Sequence, residues 1–236
     1  MFETEGLSRT LAERVAATLA EQICAGELKP GERLIEAKMA RSLQVSHGPV
    51  RDALRLLHSA GVVTISPYKG ATVTELSEQE LSELFQVRAA LAGLRARWLA
   101  QDPHRHEPIA ALEAPIAQLA TLSETPEQHA QFVSVALDIS RRLTELLANR
   151  WLRSMMESLS LQTTRYARIA LGTPEGRRES ARRWRELLEL IRAGDADRAQ
   201  VLATRISMAT YDAALKSVRA RRAQEAELSP AAPLQQ

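Results

Sequence analysis

The chain is poor in cysteine and aromatic residues, and it lacks long apolar runs. Its single cysteine, Cys24, excludes an intramolecular disulfide framework and is typical of a reducing, cytoplasmic environment. Aromatic residues make up 4% of the chain, and an apolar content built from Leu, Ala, Val and Ile favours packed helices over a β-sandwich. Because no stretch of about 18 apolar residues occurs and the first residues are polar and acidic, we expect neither a membrane span nor a signal peptide.

A large net charge is also missing. The formal charge is +2, with 25% charged and 45% hydrophobic residues, which is ordinary for a globular protein. At 236 residues the chain can form one or two substantial cores. A protein so close to neutrality does not attract nucleic acid through its overall field, so any DNA binding depends on a local patch.

Residues 30–74 have the layout of a winged helix-turn-helix. A preceding helix is predicted over residues 9–25, where apolar residues recur every fourth position. A short helix over residues 35–43 follows, then a turn at 44–46, then a second helix with Pro49 in its first turn. In this motif the second helix is shaped to enter a DNA major groove.

The second helix has two faces. Ser46 is predicted to be its N-cap, and its core face consists of Val50, Leu54 and Leu57. His47, Arg51 and Arg55 follow one another at intervals of four and can point outward together. Arg51 is the first candidate for a base or phosphate contact, since a guanidinium pairs in bidentate fashion with guanine. The alternative is a solvated helix face on which Asp52 supports the arginines.

A β-hairpin wing is predicted after this helix. β-branched runs at 62–66 and 71–73 flank a corner that contains Pro67 and Gly70. Lys69 and Gly70 at the tip would let a cation and the backbone approach a phosphate or the minor groove. A plain solvated turn is the alternative.

The segment LKPGERLIEAKMARSLQVSHGPVRDALRLLHSAGVVTISPYKGATV resembles the N-terminal domain of the GntR family of bacterial transcription regulators. The match covers most of residues 10–74 and includes the PGERL turn, the Val-Ser before the second helix, the Pro-Val-Arg-x-Ala-Leu run and the wing glycine. The resemblance implies binding of a double-stranded DNA operator. The DNA-binding residues that follow from the helix, the wing and this resemblance together are Ser46, His47, Gly48, Arg51, Arg55, Lys69 and Gly70.

Three positions depart from the family pattern. Family members usually carry Arg where this chain has Ala37 and His47, and Thr where it has Gly48. Each lost phosphate contact reduces the salt dependence of binding by about one unit of log slope. We therefore expect weaker binding or a different operator.

The rest of the chain is predicted to be helical. A capping box of Ser77 and Glu80 starts a helix whose stripe Leu84, Val87, Leu91, Leu94 and Trp98 suits packing inside a bundle. Later helices are predicted near residues 109–122, 127–148, 151–171, 174–193 and 196–221. The fold class is therefore mainly α: a winged helix-turn-helix at 1–75, an all-helical domain at 76–222 and a disordered tail at 223–236.

This second domain resembles the FCD effector domain of the FadR branch of the GntR family. The resemblance implies a divalent metal held by one Asp and three His, but the corresponding positions carry Ala136, Ser140, Trp184 and Ile206. Such residues are not a ligand set for zinc or nickel. We therefore predict no metal and no other cofactor. His104, His106 and His129 are interpreted as loop residues.

The effector site is predicted around Arg88, Ser140 and Trp184. Arg88 could hold an anionic small molecule, such as an organic acid, through a bidentate pair. Alternatively, Arg88 pairs with a carboxylate within the bundle, or Trp184 and Ile206 fill the pocket and no ligand binds. The basic cluster of residues 177–185 is interpreted as a solvated helix surface.

The residues bear on three classes of function. The favoured one is a homodimeric, operator-binding transcription regulator controlled by a small-molecule effector. An enzyme is disfavoured, since the sequence has no nucleophile–His arrangement and no phosphate-binding glycine loop. The third is a winged-helix dimerisation or interaction module with a degenerate, ligand-free effector domain, suggested by Ala37, His47 and Gly48. No residue indicates whether regulation is repression or activation.

Overall fold

The computed structural model describes residues 10–67 and 70–228, which form two compact units. The first unit combines the residues up to Leu76 with Val133–Arg168. The second combines Ser77–Phe132 with the residues from Ile169 onward. Two helices of the region predicted as the effector domain thus belong to the same unit as the winged helix.

The fold is mainly α with one small sheet, as predicted. The helices and strands of the described residues are, in chain order, α1 (Leu11–Ala25), β1 (Arg33–Leu34), α2 (Glu36–Leu43), α3 (His47–Ser59), β2 (Val63–Ser66), β3 (Gly70–Val73), α4 (Glu78–Gln101), α5 (His106–Ala110), α6 (Glu113–Ser123), a 3₁₀ turn (Pro126–Gln128), α7 (His129–Glu145), α8 (Arg150–Ala170), α9 (Pro174–Ala193) and α10 (Ala196–Leu228).

The first unit begins with a strongly capped helix. The Thr10 hydroxyl accepts from the Glu13 backbone N–H at 3.2 Å, and the Glu13 carboxylate accepts from the Thr10 backbone N–H at 2.8 Å. This capping box satisfies two N–H groups that a helix start leaves unpaired. The apolar stripe of α1 then packs on α3 and buries Val15, Leu19 and Ile23.

The wing is a three-stranded antiparallel sheet in the order β1-β3-β2. The predicted hairpin corresponds to β2 and β3, with Val63 opposite Val73 and Ser66 opposite Gly70. Strand β1 lies in the segment that was interpreted only as a turn. Two residues are too few to show the alternation by which a strand is recognised in a sequence.

Helix α8 packs against the winged helix within the first unit. Leu161 contacts the hydrophobic core formed by α1, α3 and the sheet. Arg165 donates from Nη1 to the carbonyl of Thr74, just beyond β3, at 2.8 Å. The end of the wing is therefore held by a helix that lies about 90 residues further along the chain.

Local signals set the helix bounds of the second unit. Helix α4 starts with the predicted capping box of Ser77 and Glu80. The bounds predicted for α9 are confirmed: the Thr173 hydroxyl caps the start, Pro174 occupies the first turn, and Gly194 ends the helix with φ +76°. Helix α10 packs along α4 and continues to Leu228, so it includes the first six residues of the tail predicted at 223–236.

The stripe predicted to be the buried face of α4 is half-buried at Leu84, Leu91 and Leu94 and exposed at its other two positions. Val87 and Trp98 are 53% and 36% exposed. The buried face is instead formed by Leu81, Phe85, Ala89, Ala92, Gly93, Ala96 and Leu99. A Cβ at Gly93 would lie 2.5 Å from Thr204 Oγ1 of α10. Small residues were therefore needed on the face that α10 approaches closely, and periodicity of large residues indicated the wrong side.

The basic cluster at 177–185 contains one buried member. Arg177 is 3% exposed and donates from Nη1 to the carbonyls of Leu171 and Gly172, both at 3.4 Å. The interpretation as a solvated surface is therefore wrong for Arg177. It holds for Arg182, whose side chain is 73% exposed.

None of the helices in the described ranges is both long and apolar enough to cross a bilayer.

Candidate functional site

Helix α3 presents two distinct faces. Val50, Leu54 and Leu57 are 0%, 3% and 1% exposed and anchor the helix to the core of the first unit. His47, Arg51 and Arg55 lie on the outer face, where their residues are exposed. The core face fixes the orientation of the helix, so a polar face is available to a large partner. Contact of these residues with DNA stays a prediction.

The start of α3 differs from the expected capping. Ser46 occupies the N-cap position in an extended conformation, but its hydroxyl makes no capping hydrogen bond. Ser46, His47 and Gly48 are exposed at the first turn, where a helix has N–H groups without intrahelical partners. This end of the helix is therefore open to solvent or to a phosphate.

Arg51 is held by Glu36 of α2. Arg51 Nε donates to Glu36 Oε1 at 3.3 Å, and Arg51 Nη2 donates to Glu36 Oε2 at 3.0 Å. The Arg51 and Glu36 side chains are still 56% and 36% exposed. The hydrogen bond from Arg51 is the main cause that lowers the pKa of Glu36, and the same bond raises the pKa of Arg51. Sequence reasoning missed Glu36, because the two residues are 15 positions apart.

Arg55 lies one turn further along α3. Its Nη1 is 3.4 Å from Asp52 Oδ1, and the side chain is 69% exposed. The predicted support from Asp52 is therefore present, and at this exposure it contributes little to stability. The guanidinium keeps access to a partner outside the protein.

A groove of about 340 Å³ separates α3 from the sheet. Gly70 starts β3 with φ +78°, a left-handed conformation that glycine adopts at no steric cost. Lys69, also predicted to contact DNA, lies outside the described residues. The groove is lined by Arg33, Leu34, Ile35, Glu36, Arg51, Leu54, Arg55, Ile65, Gly70 and Ala71.

The positions implied for a metal do not fit one. Ala136, Trp184 and Ile206 have no donor atom that zinc or nickel prefers, and Ser140 is a weak ligand. In the part of the chain that the structure describes, no three His, Cys, Asp or Glu side chains are grouped so that they could hold an ion.

Two arginines of α4 lie on one side of the helix. Arg88 and Arg95 are seven residues apart, which is two helical turns. Burial lowers the pKa of Arg88 to about 10. Burial, with a smaller contribution from the charge of Arg88, lowers the pKa of Arg95 to about 9. Arg95 is 4% exposed and was not predicted, although its spacing from Arg88 could have indicated it.

The three predicted effector residues are divided between the units. Arg88 of α4 and Trp184 of α9 belong to the second unit, and Trp184 is 7% exposed. Ser140 of α7 is partly buried and belongs to the first unit. Their binding of an effector stays a prediction.

Two family models match the chain. The model for bacterial regulatory proteins of the gntR family matches residues 11–73, and the FCD domain model matches residues 83–209. The first match contains the whole helix-turn-helix and its wing. The second covers more than half of the chain.

Curated relatives agree with these matches. The HTH-type transcriptional regulator McbR of Escherichia coli is 31% identical over 153 residues, which cover 61% of this chain and 68% of the relative. The uncharacterized HTH-type transcriptional regulator YdhC of Bacillus subtilis is 25% identical over 183 residues, covering 77% of this chain and 81% of the relative.

Solved structures share the fold. The structure of E. coli McbR/YncC matches with a TM-score of 0.73 at 24% identity, covering 89% of this chain and 100% of that one. A GntR transcriptional regulator from Rhodococcus matches with a TM-score of 0.68 at 20% identity, covering 87% of this chain and 98% of that one.

Proposed function

The chain belongs to the GntR family of bacterial regulatory proteins and carries an FCD domain, and from that premise we propose that it binds an operator as a homodimer whose DNA affinity is set by a small-molecule effector. Its relatives are named transcriptional regulators, so the chain is a transcriptional regulator and not an enzyme.

The outer face of α3 carries this proposal. The Arg51 and Arg55 side chains are 56% and 69% exposed, whereas the residues on the opposite face of the helix are at most 3% exposed. A helix anchored in this way can enter the major groove, about 12 Å wide, with both guanidinium groups directed at DNA. Ser46, His47, Gly48 and the wing residues Lys69 and Gly70 would then contact the backbone beside it.

A homodimer is supported by the outer side of α4. Val87 and Trp98 are eleven residues apart and therefore lie on the same side of the helix, where both are exposed. Large apolar side chains exposed along one helix favour a second copy as the partner. Two recognition helices could then occupy half-sites about one helical turn, or ~34 Å, apart.

The effector is proposed to be anionic and to bind without a metal. Arg88 and Arg95 place two guanidinium groups on one side of α4 in surroundings that already exclude much of the water. A carboxylate that pairs with such a group makes stronger hydrogen bonds than it would in water. Trp184 of the same unit would supply an apolar wall. By favouring one packing of the helices, the ligand would shift the population of DNA-binding conformations.

The alternative is a dimerisation module without DNA contact or ligand. Ala37, His47 and Gly48 remove side chains that usually touch DNA in the family, and the metal ligands are replaced. The exposed arginines of α3 favour the operator-binding function over this alternative.

The test compares Arg51→Ala with wild type in a gel-shift assay on the DNA upstream of the protein's own gene. We expect Arg51→Ala to lose about 5- to 150-fold in affinity, because one bidentate base contact contributes about 1–3 kcal/mol. Arg14→Ala is the matched control, since Arg14 is exposed on α1 of the same unit. Sedimentation should give twice the 26.1-kDa chain mass. If wild type and Arg51→Ala bind this DNA equally and without dependence on salt, the proposal is contradicted.

A further inference from the structure

We propose that Glu36 is a positioning residue that commits Arg51 to reading a guanine base rather than a phosphate. This inference rests on the proposed operator binding and adds what the site recognises. Glu36 places a carboxylate on the surface that is proposed to face DNA. A negative charge there opposes DNA binding unless Glu36 has a role through its contact with Arg51.

The geometry of the ion pair leaves one edge of the guanidinium open. Glu36 accepts from Nε and Nη2 of Arg51, so it occupies the side edge of the guanidinium group. A guanidinium has five N–H groups in a rigid fork. One hydrogen of Nη1 and the second hydrogen of Nη2 form the end edge, and the other Nη1 hydrogen points back toward Cδ. Two parallel N–H groups on this edge match the O6 and N7 acceptors of guanine.

The charge of the pair separates a base from a phosphate. Glu36 neutralises Arg51 locally, which weakens the attraction of the guanidinium for a phosphate group. It leaves the N–H donors of the end edge in place, and these are what neutral base acceptors require. A paired arginine is therefore a poorer phosphate anchor than a lone one and a better oriented base reader.

The carboxylate itself is held in position. Glu36 is the first residue of α2, where the helix dipole favours a negative charge. Met39 and Ala40 of α2 are buried, and α2 packs on α3. Glu36 and Arg51 both line the groove between α3 and the sheet, and the Arg51 side chain remains 56% exposed. The pKa of Glu36 is lowered, mainly by the Arg51 hydrogen bond, so the carboxylate is ionised at neutral pH.

The experiment uses the full-length protein and a short duplex that wild type selects from a randomised pool. Each guanine of that duplex is replaced in turn by 7-deazaguanine, which lacks the N7 acceptor. We expect wild type to lose about tenfold in affinity at one guanine of each half-site, as one good base contact predicts. Glu36→Gln should lose less than about twofold there. Its binding to random-sequence duplex should tighten, with a log-salt slope steeper by about one unit.

Three variants distinguish positioning from a general structural role. Glu27→Gln removes the same charge from an exposed residue of the same unit and should behave as wild type toward 7-deazaguanine. Glu36→Asp keeps the charge at the helix start but shortens the side chain, so guanine discrimination should fall while the salt slope stays. In an Arg51→Ala background, Glu36→Gln should cause no further loss of discrimination, because Glu36 acts through Arg51.

The outcomes separate this inference from the proposed function. If wild type selects a sequence but Glu36→Gln or Glu36→Asp keeps the full sensitivity to 7-deazaguanine, the positioning role is overturned and operator binding stands. If Glu36→Gln causes a further loss of guanine discrimination in the Arg51→Ala background, the positioning role is also overturned. If wild type selects no sequence at all, operator binding fails and the inference fails with it.

Discussion

The winged helix and the second unit place their arginines in opposite surroundings. In the winged helix, Arg51 and Arg55 are more than half exposed around an aliphatic core. In the second unit, Arg95 and Arg177 are 4% and 3% exposed. The pKa shifts follow this division: a surface carboxylate raises the pKa of Arg51, whereas burial lowers the pKa of Arg95.

This difference in exposure bears on the two anionic partners that are proposed above, DNA and a small anion. An exposed guanidinium keeps its hydration and can exchange water for the groups of a large polyanion. A buried guanidinium has already lost much of its hydration, so a small anion that reaches it gains a strong interaction at little further desolvation. The proposed operator binding and the proposed effector binding therefore use the same residue type in different surroundings.

The largest effect is expected from the aliphatic core beneath the exposed arginines. Leu57→Ala should lower the free energy of unfolding by about 2–5 kcal/mol, because Leu57 is 1% exposed and its truncation leaves a cavity. Urea denaturation followed by circular dichroism measures this. Leu11→Ala is the control in the same unit, since Leu11 is 40% exposed and should cost far less. Similar losses for the two variants would show that this core does not support the recognition helix.

A smaller, pH-dependent effect is expected from the buried arginine of α4. Arg95→Met removes a charge that burial disfavours, so wild type should gain stability relative to this variant as the charge is lost at high pH. Burial lowers the folded-state pKa of Arg95 to about 9, which is below the pKa in the unfolded chain. At pH values between these two pKa values, the unfolded chain binds more protons than the folded chain. The stability of wild type relative to Arg95→Met should therefore rise with pH between pH 8 and 10.

Thermal unfolding at several pH values measures this difference. Arg97→Met is the control on the same helix, because Arg97 pairs with Asp197 and Gln200 and is 35% exposed. It should show no comparable change with pH. A stability difference between wild type and Arg95→Met that stays the same at every pH would contradict the effect of burial on the charge.

The smallest effect is expected from metal removal. A resident ion at ~100 times its dissociation constant would add about 2.7 kcal/mol to stability. We expect no stoichiometric transition metal by elemental analysis and no change in melting temperature on adding a chelator. About one ion per chain, lost together with stability, would contradict the prediction that Ala136, Ser140, Trp184 and Ile206 replace the ligand set.

The sequence predicted the helix bounds better than the packing of the helices. The bounds of α9 follow from Thr173, Pro174 and Gly194, which act within one turn. The buried side of α4 was predicted wrongly, because Gly93 and its neighbouring alanines became the contact face for a helix about 110 residues away. A stripe of large residues cannot indicate which side a distant helix will cover.

The same limit applies to the candidate site. The exposed face with Arg51 and Arg55 was predicted, since its periodicity belongs to one helix. The pairing of Arg51 with Glu36 was not predicted, because it depends on where α2 lies. The burial of Arg95 was not predicted, because it depends on which helices pack against α4.

The sequence by itself determined the mainly helical class, the winged helix-turn-helix and the ends of most helices. These depend on caps, glycines, prolines and periodicity, which act over a few residues. Only the tertiary structure decided which arginines face solvent, which are buried and which carboxylate holds Arg51. Burial and ion pairing depend on residues far apart in the chain, which meet only when the helices pack.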